Sequence, residues 1–184
     1  MYADNTLTPR EAIRLCALGT LTESSGDARM HYDDLVYSVR HFISRISGPS
    51  LDLMGESIEL LRFEGLVEAA NDQRTSENPE LALTGEGRAA LETLLKANIR
   101  AGTSDLNELI MALKFRFLNL LPFEDQNVQV EAFMDVCETE LARLEDLKSH
   151  HQADNGYLSD WLNHDIQRLE ARLDWLTEFQ KTLG

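Results

Sequence analysis

The C-terminal third of the chain constrains the fold most. Two apolar stripes advance through it by threes and fours: Phe133, Cys137, Leu141, Leu144 and Leu147, then Leu158, Leu162, Ile166, Leu169, Leu173, Leu176 and Leu183. That spacing lays each stripe along one face of an α-helix. A polar break at residues 149–156 lets the second helix turn back on the first. The chain is therefore expected to end in an antiparallel helical hairpin. Hairpins of this kind often bury their second face in a partner chain, so a homodimer is expected. The residues expected to carry it are Phe133, Leu141, Leu144, Leu162, Ile166, Leu169, Leu173, Trp175 and Leu176. The alternative is that the hairpin folds onto its own N-terminal domain.

The N-terminal half reads differently, as short helices and one small hairpin. Thr8-Pro9-Arg10-Glu11 is a capping box with proline at the first helical position, and it starts a helix over residues 9–21, with Ile13, Ala17, Leu18 and Leu21 on its apolar face. A second helix begins near Tyr32, carries Leu35, Val39, Phe42, Ile43 and Ile46, and stops at Ser47-Gly48-Pro49. A third begins near Leu51, with Met54, Ile58 and Leu61 on one face, and ends at Gly65. Residues 66–70 and 80–83 then read as two strands around a polar loop. Three helices and a hairpin in that order make a winged helix-turn-helix with a small β-hairpin wing. Thr84 caps a fourth helix, the break at residues 101–104 is the expected domain boundary, and residues 105–121 form a connector helix closed by Pro122. The expectation is thus a mainly α protein, with a winged-helix DNA-binding domain over 1–101 and a helical dimerisation domain over 102–184.

Composition narrows the function classes. Acidic residues outnumber basic ones 32 to 17, for a formal charge of −15, which opposes non-specific attraction to nucleic acid or to an anionic membrane. The acidity is spread evenly: residues 1–98 carry 9 basic and 16 acidic side chains (9 − 16 = −7), and residues 99–184 carry 8 and 16 (8 − 16 = −8). No stretch is apolar enough for a membrane helix and the N-terminus has no leader pattern, so a cytoplasmic location is expected. Cys16 and Cys137 lie far apart on apolar faces and read as small core residues. Ser24-Ser25-Gly26 is not a nucleophile elbow, and Gly85-Glu86-Gly87-Arg88 lacks the spacing and lysine of a phosphate-binding loop. No catalytic residues are expected, and the protein reads as a non-enzyme.

Leu61-Arg62-Phe63-Glu64-Gly65-Leu66-Val67, followed by residues 83–91 (LTGEGRAAL), resembles the end of the recognition helix and the wing exit of PadR-type winged-helix regulators. The final run at residues 169–176 (LEARLDWL) resembles the pairing arm of the AphA-like branch of that family. The resemblance implies a homodimer that sets two recognition helices about one turn of double-stranded DNA apart and regulates transcription, in some members under a small-molecule effector. It places the third helix in the major groove, with Ser50, Gly55, Glu56 and Glu59 at the readout surface. Arg40, His41, Arg45 and Arg74 would hold the phosphates, with Arg10 and Arg14 further back. That readout face is acidic, and where relatives often carry an aromatic residue this chain has Gly55. The competing reading is a winged-helix dimer that has lost DNA binding and serves as a protein-interaction module.

Two other groupings carry chemistry. His150 and His151 lie near Asp154, Asp160 and His164, but tandem histidines do not readily converge on one ion, so neither a metal nor a cofactor is expected. Trp161 and Trp175 would either line an aromatic effector pocket between the arms or pack as ordinary large interface residues.

Overall fold

The computed structural model describes residues 6–23, 29–47, 54–70, 76–99, 104–151 and 156–183, without the side chains of 47 and 54–57. Their order is α1 (Pro9–Glu23), β1 (Arg29–His31), α2 (Tyr32–Ser47), α3 (Met54–Phe63), β2 (Val67–Ala69), β3 (Glu80–Leu83), α4 (Gly85–Lys96), α5 (Asp105–Phe117), a 3-10 turn at Leu118–Leu120, α6 (Phe123–His150) and α7 (Leu158–Thr182). The chain divides into two compact units, Met1–Asn98 with Ser104–Leu121, and Ile99–Thr103 with Pro122–Gly184.

The first unit is built around α1. Its start is the expected capping box: the Thr8 amide donates to Glu11 Oε2 at 2.8 Å and the Glu11 amide donates to Thr8 Oγ1 at 3.3 Å. The Thr8 amide, together with the Thr8 hydroxyl that donates to the same carboxylate oxygen at 2.7 Å, holds the Glu11 carboxyl below the usual glutamate range. Beyond that turn α1 is buried on more than the one predicted face, since Ala12, Leu15, Cys16, Gly19 and Thr20 are as enclosed as Ile13 and Leu18. A helix covered on every side must be central, and α1 packs against α2, α3, α4 and α5. Burial pushes the Cys16 thiol up to about 12, so it remains an inert core group.

The fourth side of that sheath is α5. An added Cβ at Gly19 would lie 2.6 Å from the Phe117 ring, so the absent side chain admits the aromatic one. Arg116 lies 4.8 Å over the Phe42 ring and donates to Glu23 Oε2 from Nη2 at 3.1 Å, joining α5 to α2 and α1. α5, read from the sequence as a connector beyond 101, packs here against α1 and α2 within the first unit, whose two segments are Met1–Asn98 and Ser104–Leu121.

β1 is a strand that the sequence reading does not contain. The sheet order is β1-β3-β2, all antiparallel, with Met30 opposite Leu81 and Val67 opposite Leu83. β1 runs directly into α2, whose first amides are satisfied from the wing: Tyr32 donates to the Pro79 carbonyl at 3.0 Å and Asp33 to Asn78 Oδ1 at 3.0 Å. The N-terminus of α2 is therefore capped in trans, which explains a helix start with no local capping residue.

In the second unit α6 and α7 form the expected hairpin. Leu144, Leu162, Ile166 and Leu169 make its buried cluster, with Leu141 and Leu158 packed against them.

Candidate nucleic-acid interface

The join between α3, the wing and α4 is fixed by four residues. Gly65 ends α3 in the left-handed region at φ 74°, where a side chain would be strained. Thr84 Oγ1 lies 2.8 Å from the Gly65 carbonyl and 3.0 Å from the Leu66 carbonyl, and it accepts the Gly87 amide at 3.0 Å as the N-cap of α4. Gly87 is required for a steric reason: a Cβ there would sit 2.0 Å from the Leu66 carbonyl oxygen. The sequence LTGEGR is therefore a clasp holding the end of α3 against the wing and the start of α4.

On α2 the apolar face, Leu35, Val39 and Ile43, is fully buried. The opposite face carries Arg40, His41 and Arg45, all exposed. Residues 35–51 contain no Asp or Glu, the longest such run in a chain with 32 of them. Neither Arg40 nor Arg45 has a carboxylate within ion-pair distance among the described residues. By contrast Arg14 is held by Glu64 at 2.7 Å, Arg29 by Glu80 at 3.7 Å, and Arg62 by Glu59 at 3.4 Å. The structure thus separates the arginines named from the sequence: Arg40 and Arg45 are available to a ligand, and Arg14 is occupied within the fold.

The remaining readout residues are placed unevenly. Glu59 is exposed on α3 and accepts from Arg62. Gly55 and Glu56 lie on the same helix, but their side chains, like Ser50 and Arg74 altogether, fall outside the described residues. Beside Glu59 opens a groove of about 530 Å³, lined by Arg62, Phe63, Val67, Glu68 and Thr84, with the Phe63 ring at its rim 90% exposed.

The expected pairing residues also divide. Phe133, Leu144, Leu162, Ile166, Leu169 and Leu176 are buried within the single chain, and Leu141 and Leu173 are half-buried. Trp175 is 51% exposed and stacks on Phe179 at 5.4 Å between ring centroids, while Trp161 is 54% exposed. No group of three or more His, Cys, Asp or Glu side chains able to hold a metal ion occurs among the described residues. His150 instead has Nδ1 2.8 Å from the Asp146 carbonyl, within its own helix end.

One buried polar residue escaped the sequence reading. Lys114 on α5 is fully buried, and its Nζ donates to the Leu95 and Ala97 carbonyls at 2.6 and 2.5 Å, closing the C-terminal end of α4. Burial depresses its pKa to about 8. The sequence signal for it is a lysine placed between Leu113 and Phe117 on an otherwise apolar stripe.

Three helices with α1 at their centre and a β-wing returning to the sheet beside α3 define a winged-helix protein, and Arg40 and Arg45, which form no ion pair among the described residues, lie on α2. The chain belongs to the AphA-like family described as "Putative AphA-like transcriptional regulator", whose model matches residues 2–180. It is also similar to crystal structures of Bacillus subtilis PadR. The complex with operator DNA aligns over 94% of this chain and 99% of that one, at 16% identity and a TM-score of 0.37. The complex with p-coumaric acid aligns over 97% and 98%, at 14% identity and the same TM-score. No curated protein matches the chain. Among the described residues no helix is long and apolar enough to cross a membrane.

Proposed function

We propose that this protein is a homodimeric, DNA-binding transcriptional regulator of the cytoplasm and not an enzyme. Membership of a transcriptional-regulator family supports the class, and the observation that carries DNA binding is the exposed face of α2 beyond its first turn, which holds Arg40, His41 and Arg45 and no carboxylate. A phosphate backbone is recognised by unpaired guanidinium groups, and a net charge of −15 opposes binding only where the local surface shares that sign. In this reading α3 enters the major groove with Ser50, Gly55, Glu56 and Glu59 toward the bases, while Arg40, His41, Arg45 and Arg74 hold phosphates.

Dimerisation in this reading rests on the outer face of α7. Trp161, His164, Arg168, Ala171, Trp175 and Glu178 are exposed at alternating spacings of three and four, outside the leucine cluster that closes the hairpin. Two half-exposed tryptophans two heptads apart on such a stripe favour pairing with a second copy.

A second reading, a winged-helix protein-interaction module, is favoured by the exposed Phe63 at the rim of the groove that Glu59 and Glu68 line. The deciding experiment is selection of purified protein, sized first as a dimer, on random-sequence duplex DNA at two salt concentrations. Enrichment of a palindromic site supports the regulator. No retention at low salt sinks it in favour of the interaction module.

A further inference from the structure

Resting on the DNA-binding reading, we propose that Tyr37 is a further DNA-contacting residue, its hydroxyl donating to a backbone phosphate held between Arg40 and Arg45. Residues 37, 40, 41, 44 and 45 follow the i, i+3, i+4, i+7, i+8 spacing that puts side chains on one helix face. That face of α2 lies opposite the buried Leu35, Val39 and Ile43. Tyr37 adds nothing to the core: its side chain is 70% exposed and its hydroxyl has no hydrogen-bond partner among the described residues. The ring stacks on the His41 ring, at 6.0 Å between centroids and 23° between planes. Stacking on a residue one turn away favours a phenol lying along the outer face of the helix.

The chemistry of the face selects its ligand. Two guanidinium groups, a phenol and an imidazole offer hydrogen-bond donors, and from residue 35 to the end of α2 no carboxylate competes for them. Asp33 and Asp34 occupy the first turn, where they complement the helix dipole, so the phosphate-facing part starts one turn later, at Tyr37, and runs to the C-terminal end of α2. Dipole complementarity alone accounts for Arg45 in the last turn but for neither Arg40 nor the exposed ring of Tyr37. A phosphodiester oxygen between the two arginines is an acceptor suited to a phenol that has no intramolecular partner.

The test is fluorescence anisotropy of a labelled short random-sequence duplex, with the full-length wild type, Tyr37→Phe, Arg40→Ala, Arg45→Ala and Arg88→Ala at several salt concentrations. Arg88 is another exposed cation, placed on α4. Removing one hydrogen bond to a charged oxygen should weaken binding about tenfold for Tyr37→Phe, with the salt slope unchanged because no charge is lost. Each arginine variant should flatten the slope by about one ion per protomer, and Arg88→Ala should do neither. Since Tyr37 is outside the core, circular dichroism and melting of Tyr37→Phe should match the wild type. A wild type that binds while Tyr37→Phe binds equally tightly overturns this proposal and leaves the regulator reading standing. A wild type that binds no duplex at low salt overturns both.

Discussion

Replacing Gly87 by alanine sets two opposing effects against each other. Gly87 lies in the first turn of α4, where alanine favours the helix by up to about 1 kcal/mol over glycine. The added Cβ would stand 2.0 Å from the Leu66 carbonyl oxygen and 2.8 Å from Leu83 Cδ1. A relaxed carbon–oxygen contact is about 3.3 Å, so the backbone must open by more than 1 Å. The carbonyl cannot yield freely, because it accepts from the Thr84 amide at 3.2 Å and lies 3.0 Å from Thr84 Oγ1. Overpacking strain of about 1–3 kcal/mol, with roughly 1 kcal/mol for each weakened hydrogen bond, outweighs the propensity gain. Gly87→Ala should therefore lose about 2–4 kcal/mol, lowering the melting temperature by roughly 10 °C or more for a domain of this size. Gly85→Ala is the internal control, since nothing lies within 4 Å of its Cβ; it should change stability by less than about 1 kcal/mol. Urea and thermal unfolding by circular dichroism measure both. A Gly87→Ala protein as stable as Gly85→Ala would refute the steric reading of the clasp.

Three further outcomes follow from the same geometry. Thr84→Val keeps the shape but removes the acceptor for the Gly87 amide and the donor near the Gly65 carbonyl, and should cost about 1–2 kcal/mol of unfolding free energy, measured by urea denaturation. Gly19→Ala drives a Cβ to 2.6 Å from the buried Phe117 ring and should destabilise by about 1–3 kcal/mol, with a shift in that ring's NMR signals. Lys114 binds fewer protons folded than unfolded between its depressed value of about 8 and its ordinary 10.5, so stability should rise with pH across that window and be flat below it. Lys114→Met should abolish that rise in unfolding measurements, and below pH 8 it should cost about 1–3 kcal/mol for the Leu95 and Ala97 carbonyls left without their donor.

Local chemistry alone determined much of the protein. The Thr8–Glu11 capping box, the left-handed Gly65, the Thr84 cap and the helical hairpin depend on contacts within a few residues or on a simple period, and a sequence displays both. The same is true of the cationic residues of α2, whose spacing shows that they share a face. What the sequence could not show depends on pairs far apart in the chain. β1 is three residues long, too short for an alternation to register, and exists because β3 offers it a free edge some fifty residues later. α5 reads as a connector until Phe117 is seen filling the space left by Gly19. Gly87 looks like mere helix tolerance until the Leu66 carbonyl is placed beneath it. The leucines of α6 and α7 were expected to face a partner. The period reveals that a stripe is buried but not by what, and only the tertiary packing assigned Leu144, Leu162, Ile166 and Leu169 to the hairpin's own core while leaving Trp161 and Trp175 outside it.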